Sequence, residues 1–169
     1  MSSSILRVYL NDHLAGATAG AELARRMVQE HGDSAFGGEL RDLAAQIARD
    51  RQDMVRLMAR LGVRPRRYKV YGAWLGEKLG RVKPNGRLLR SSPLSVLVEL
   101  EALRLGVTGR ALLWRALLRG APRDPDPGPP GLEELLQRAE RQLRTLDSLH
   151  ARAASERLSP AGPRPARAR

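Results

Sequence analysis

Apolar residues in this chain recur at alternating three- and four-residue steps, the period at which one face of an α-helix repeats, and that commits most of it to long amphipathic helices. One seam runs Phe36, Leu40, Leu43, Ile47, Asp50, Met54, Leu57, Leu61. A second runs Leu97, Leu100, Arg104, Val107, Ala111, Trp114, Leu118, and a third Leu132, Leu136, Ala139, Leu143, Leu146, His150, Ala153. Two seams carry a charge at mid-helix, Asp50 and Arg104, where packing alone would select an aliphatic residue. A charge withdrawn from water needs a partner, so the pattern points to one ionic place in the core.

Punctuation residues divide the chain into elements. A first helix over about 4–29 presents Leu10, Leu14, Ala17, Ala21, Ala24 and Val28 on one stripe, with Asn11, Glu22, Arg25 and Arg26 away from it. Gly32 ends it, and Asp33 or Ser34 offers an N-cap to a second helix over 34–61 that stops at Gly62. So short a turn makes the two helices an antiparallel hairpin. Residues 63–92 form a long crossover punctuated by Pro65, Pro84 and Asn85-Gly86, in which 70–82 reads as a short amphipathic helix carrying Trp74, Leu75, Leu79 and Val82. A connection of this length permits the third helix to run parallel to the second. That helix spans 93–119, with Pro93 at its first turn. Its interior Gly106 and Gly109 suggest close helix contact or a mild kink. A proline-rich linker over 120–131 leads to a fourth helix at 132–158, and the basic tail 159–169 reads as disordered. The expected fold is all-α, a single four-helix bundle over 1–158.

Composition narrows the chemistry. The 169 residues include no cysteine, which excludes disulfides, thiolate metal sites and thiol redox chemistry. No signal-peptide pattern or long apolar run is present, so the chain reads as soluble and cytoplasmic, with no transmembrane segment. The net charge of +12 is local. Residues 1–62 and 132–158 each balance their acids and bases, whereas 63–92 hold nine Arg or Lys against Glu77 alone. Arg64, Arg66, Arg67, Lys69, Lys83, Arg87 and Arg90, interleaved with Tyr68, Tyr71 and Trp74, are the candidate contacts for nucleic acid or an anionic surface. No Ser-His-Asp set, phosphate-binding glycine loop or metal-spaced histidine pair occurs.

The order of helices, short turn, long crossover and second short connection resembles the ferritin-like superfamily. The start of the first helix, Tyr9-Leu10-Asn11 followed by Leu14, is similar to bacterioferritin-type first helices, which carry a metal-bridging glutamate eight residues after the tyrosine. That position is Ala17 here. The resemblance puts the second helix's Glu-x-x-His ligands onto Asp50 and Asp53, and the third helix's glutamate onto Arg104, or Glu101 if the register slips one turn. The last pair falls onto Glu140 and Leu143. A di-iron carboxylate site needs four acids and two imidazoles, and neither imidazole stands in place. The resemblance therefore implies a lost metal site, no metal and no cofactor, with Arg104 filling the former cavity and bonding Asp50 and Glu140. On that reading truncation of Arg104 is strongly destabilising.

The expected function is that of a non-catalytic scaffold or interaction protein, a homodimer or the partner of another protein, with enzymatic activity left open. One alternative is a metal-dependent oxidoreductase or metal-storage protein using Asp50, Asp53, Glu101 and Glu140. Another is anion or nucleic-acid binding through the basic crossover.

Overall fold

A computed structural model describes residues 3–66, 94–120 and 130–158 of the chain. Among them, all regular structure is helical: α1 (Ser3–His31), α2 (Gly37–Arg60), α3 (Ser95–Gly120) and α4 (Leu132–Leu158). The expected short helix at 70–82, most of the linker and the tail lie outside the described residues. None of the described helices is long and apolar enough to cross a membrane.

The four helices share one apolar core that runs from Leu10 and Met27 of α1 through Leu43, Met54, Leu100 and Trp114 to Leu135 and Leu149. Around it, α1 packs on α2 and on α3, while α4 packs closely on α3 and more lightly on α2. Cross-helix bonds fix the directions. Arg51 Nε donates to Thr18 Oγ1 across α1 and α2, and Arg41 to the Gly32 carbonyl, so these two helices are antiparallel. Arg104 meets Asp147 and Arg115 meets Glu140, so α3 and α4 are antiparallel too. His31 lies beside Glu99, whereas His13 shares a cleft with Gly109, which sets α3 antiparallel to α1. It follows that α2 and α3 are parallel and face each other diagonally. The end of α2 and the start of α3 therefore lie toward opposite ends of the bundle, roughly 36 Å apart along its axis for a helix of 24 residues.

Local chemistry explains the element ends. A Cβ on Gly37 would stand 1.9 Å from the Gly32 carbonyl oxygen, so the tight α1–α2 turn admits only glycine there. The Ser34 hydroxyl donates back to the His31 carbonyl at 2.7 Å and closes α1. It does not cap α2, which starts three residues later than expected, after Phe36. Gly62 takes φ +65° and ends the last turn of α2, as its position suggested.

Two expectations fail in detail. A Cβ on Gly106 or Gly109 would meet nothing within 4 Å, so neither marks a close approach between helices. Together with Gly16 and Ala17 they line an open cleft of about 250 Å³ between α1 and α3. Asn11, placed on the polar side by its neighbours, is fully buried. Its amide donates to the carbonyls of Arg7 and Arg64 and accepts from the backbone N–H of Arg66 at 2.7 Å. Asn11 thereby clamps the chain leaving α2 against α1, satisfying backbone groups that would otherwise be stranded.

Candidate functional site

Each helix places one residue seven positions from a buried neighbour on either side along its buried face. In α2 the set is Leu43, Asp50, Leu57; in α3 it is Leu103, Arg110, Leu117; in α4 it is Leu135, Gln142, Leu149. In α1 it is Leu10, Ala17, Ala24, and the small Ala17 lines the same cleft as Arg110. Seven residues are close to two helical turns, so the leucines bracket the polar residue above and below, and Arg110 alone of the three edges the open α1–α3 cleft. One polar layer thus crosses an otherwise apolar core.

The layer is a single network. Arg110 Nη2 donates to Gln142 Oε1 at 3.0 Å, and Gln142 Nε2 donates to Asp50 Oδ2 at 2.7 Å. These two partners fix the amide: its oxygen faces the guanidinium and its NH2 the carboxylate. Arg110 Nη2 also lies 3.4 Å from Asp50 Oδ2. Arg138, one turn before Gln142 on α4, reaches both acids of α2, with Nη1 at 3.2 Å from Asp50 Oδ1 and Nη2 donating to Asp53 Oδ2 at 2.8 Å. Arg56 completes Asp53 from the bundle rim. With both aspartates ionised, the charges of Asp50, Asp53, Arg110 and Arg138 sum to zero. Asp50 and Asp53 share a face because they are three apart on α2.

Burial dominates the electrostatics. It pushes the Asp50 carboxyl above the ordinary aspartate value, against the pull of Arg110, the Gln142 hydrogen bond and Arg138, with Asp53 adding to the rise. It also lowers the Arg110 guanidinium, which Asp50 opposes and Arg138 reinforces. Arginine nonetheless remains protonated in proteins. Unit charges at 3.4 Å attract by about 5 kcal/mol at an effective dielectric of about 20, and each ion loses several kcal/mol on leaving water. The two effects nearly offset, so the layer fixes register more than it adds stability. Two of its atoms, Asp50 Oδ1 and Arg110 Nε, have no hydrogen bond.

This arrangement corrects the cluster expected from sequence. Asp50 is in the core, with Asp53 beside it, but Arg104 faces outward and pairs with Asp147 on the α3–α4 surface. Glu140 is half-exposed and accepts from Arg115 at 2.7 Å. The seam reading took a four-residue step from Leu100 to Arg104, whereas the buried face takes the three-residue step to Leu103. On α4, Ala139, Leu146 and Ala153 are buried as the seam required, while Leu135, Gln142 and Leu149 take the buried places of Leu136, Leu143 and His150, leaving Leu143 packed at the core edge. Glu101, the alternative for the third helix, is exposed against His150 Nε2 at 3.0 Å. Arg110, Arg138 and Gln142 were missed, although Leu-x6-Arg-x6-Leu and Leu-x6-Gln-x6-Leu were readable as interrupted stripes.

Of the basic crossover, Arg64 and Arg66 are exposed while Asn11 holds their backbone. Arg67, Lys69, Lys83, Arg87 and Arg90 lie outside the described residues.

The polar layer does not suit a di-metal centre. It offers two carboxylates, no imidazole, and two guanidiniums that already neutralise the acids, whereas two hard cations call for an excess of anionic oxygen. No family model, curated protein or solved structure matches this chain.

Proposed function

We propose that this protein is a ferritin-like four-helix bundle in which guanidinium groups take the place of paired metal ions, and that it serves as a non-catalytic scaffold or interaction module. The observation that carries the reading is the charge-balanced buried layer of Asp50, Asp53, Arg110 and Arg138, closed by Gln142. The parallel diagonal pair α2 and α3 supports it, since that order of helices requires the long crossover of ferritin-like bundles. An interaction role is supported by the outer face of α3. Val98, Leu105 and Leu112 stand exposed there at seven-residue intervals, and Ile5 and Val8 are exposed on the adjoining α1. A straight apolar stripe on an antiparallel bundle is self-complementary across a two-fold axis, which suits a homodimer.

Metal analysis of the tag-free protein tests the first half. Iron and manganese should not be retained at two ions per chain. Retention at that level, abolished by Asp50→Asn or Asp53→Asn, would reverse the assignment to a metal-dependent oxidoreductase. Sedimentation of the wild type and of Leu105→Glu tests the second half, with the variant expected to lose self-association.

A further inference from the structure

A second group of polar side chains lies at the end of the bundle where α1 finishes and α3 begins. Glu30 and His31 are the last two residues of α1, and Glu99 is in the second turn of α3. One ligand-type atom from each lies within 4.8 Å of the other two. His31 Nε2 and Glu99 Oε2 are 3.4 Å apart, both atoms are enclosed, and neither makes a hydrogen bond.

That geometry is poor for an imidazole and a carboxylate alone, because such a pair normally closes to about 2.8 Å with an aligned N–H. It matches the spacing of two ligands on one ion. Bonds of 2.0–2.1 Å in tetrahedral array put adjacent ligand atoms about 3.3 Å apart. The charge balance also differs from that of the central layer. Glu30 and Glu99 bring two negative charges together, with Arg26 as the arginine that acts on Glu99. Burial and the charge of Glu30 hold the Glu99 carboxyl above its ordinary value, with His31 and Arg26 opposing. A divalent ion would relieve that crowding and give both atoms a bond in place of a long contact.

We propose that Glu30, His31 and Glu99 form a binding site for one divalent transition-metal ion, Zn2+ being the best match to one imidazole and two carboxylates, with the fourth position left to water. Glu30 is exposed, so the ion has a direct path from solvent. Bound there, it ties the end of α1 to the start of α3 and so joins the two helical hairpins at a place distinct from the Asp50 layer.

The test is titration of the full-length, tag-free, chelator-treated protein with Co2+, followed by its visible absorption, and then displacement by Zn2+. One Co2+ per chain is expected, with the intense band of a four-coordinate ion. His31→Ala and Glu99→Gln should each weaken binding by more than about tenfold, with the helical circular dichroism retained. Asp50→Asn and His150→Ala should leave it unchanged. Absence of saturable Co2+ and Zn2+ binding in the micromolar range would overturn the proposal. So would binding indifferent to both His31→Ala and Glu99→Gln. Binding lost in Asp50→Asn but kept in His31→Ala would move the ion to the core and also overturn the reading of the central layer.

Discussion

Arg110 and Arg104 lie six residues apart on α3, and each meets a carboxylate, yet the two pairs have little else in common. Arg104 pairs with Asp147 in open solvent, where both side chains are about half exposed. The hydrogen bond to Asp147, and then its charge, raise the Arg104 guanidinium further above an already high value. Arg110 is enclosed by apolar layers and shares Gln142 with Asp50. Water stands ready to replace Asp147 if it is lost, because an exposed arginine is solvated either way. Without Asp50, Arg110 keeps only the neutral Gln142 carbonyl. What decides the worth of an ion pair in this bundle is the alternative available to each partner when the other is removed, not the distance between them.

That contrast is open to direct attack. The largest effect is expected at Arg110. Arg110→Ala takes from buried Asp50 the charge that pulls on it most, leaving only Arg138 and Gln142, and also unpairs the Gln142 carbonyl; it should cost about 3 to 5 kcal/mol in urea unfolding. The triple variant Arg110→Met, Asp50→Leu, Gln142→Leu should recover most of that loss, since it strands neither a charge nor the buried Gln142 amide. A triple variant no better than the single would show that the layer stabilises by packing rather than by pairing. Arg138→Ala should be milder, roughly 1.5 to 3 kcal/mol, because Arg110 and Gln142 remain on Asp50 and Arg56 remains on Asp53.

A smaller effect is expected from pH. The folded state holds the Asp50 proton above the ordinary aspartate value, so between that value and the raised one the folded protein binds more protons than the unfolded chain. The contribution of Asp50 to stability is therefore complete below the ordinary aspartate value, about 3.9. It is lost as pH rises through the raised one. Plotted as the difference between wild type and Asp50→Asn, unfolding free energy should fall with rising pH across that window and flatten above it. A difference that rises with pH would mean that the arginines outweigh burial. The smallest effect belongs to Arg104→Ala, whose melting temperature should match that of the wild type within error.

The four helices were readable because three- and four-residue steps mark a helical face whatever the exact side chains. Gly62 and the short α1–α2 turn were readable because glycine and a brief connection leave few alternatives. The ionic layer was half readable. Asp50 announced itself by interrupting a stripe that had no competing neighbour, and it is buried as its place in the seam required. Arg104 announced itself in the same way, but Leu103 beside it offered the core an aliphatic side chain at a cost of only about 100° of rotation. At that place packing selects the apolar residue. Arg110 was hidden for the opposite reason: Ala111 next to it satisfied the pattern, although both residues are buried. Asn11 and Arg138 gave no periodic signal, because each is fixed by a partner more than fifty residues away in the chain.

The bonds of the central layer that cross between hairpins join residues far apart in sequence: Asp50 to Gln142 over 92 positions and Asp53 to Arg138 over 85. Helix pairs α1–α2 and α3–α4 close short loops and so gain their contacts cheaply, whereas α2 meets α4 only after the whole chain has been gathered. Contacts made after the rate-limiting step do not speed folding; they slow its reverse. Variants that remove one partner of this layer are therefore expected to unfold faster rather than to fold more slowly, as stopped-flow unfolding would read.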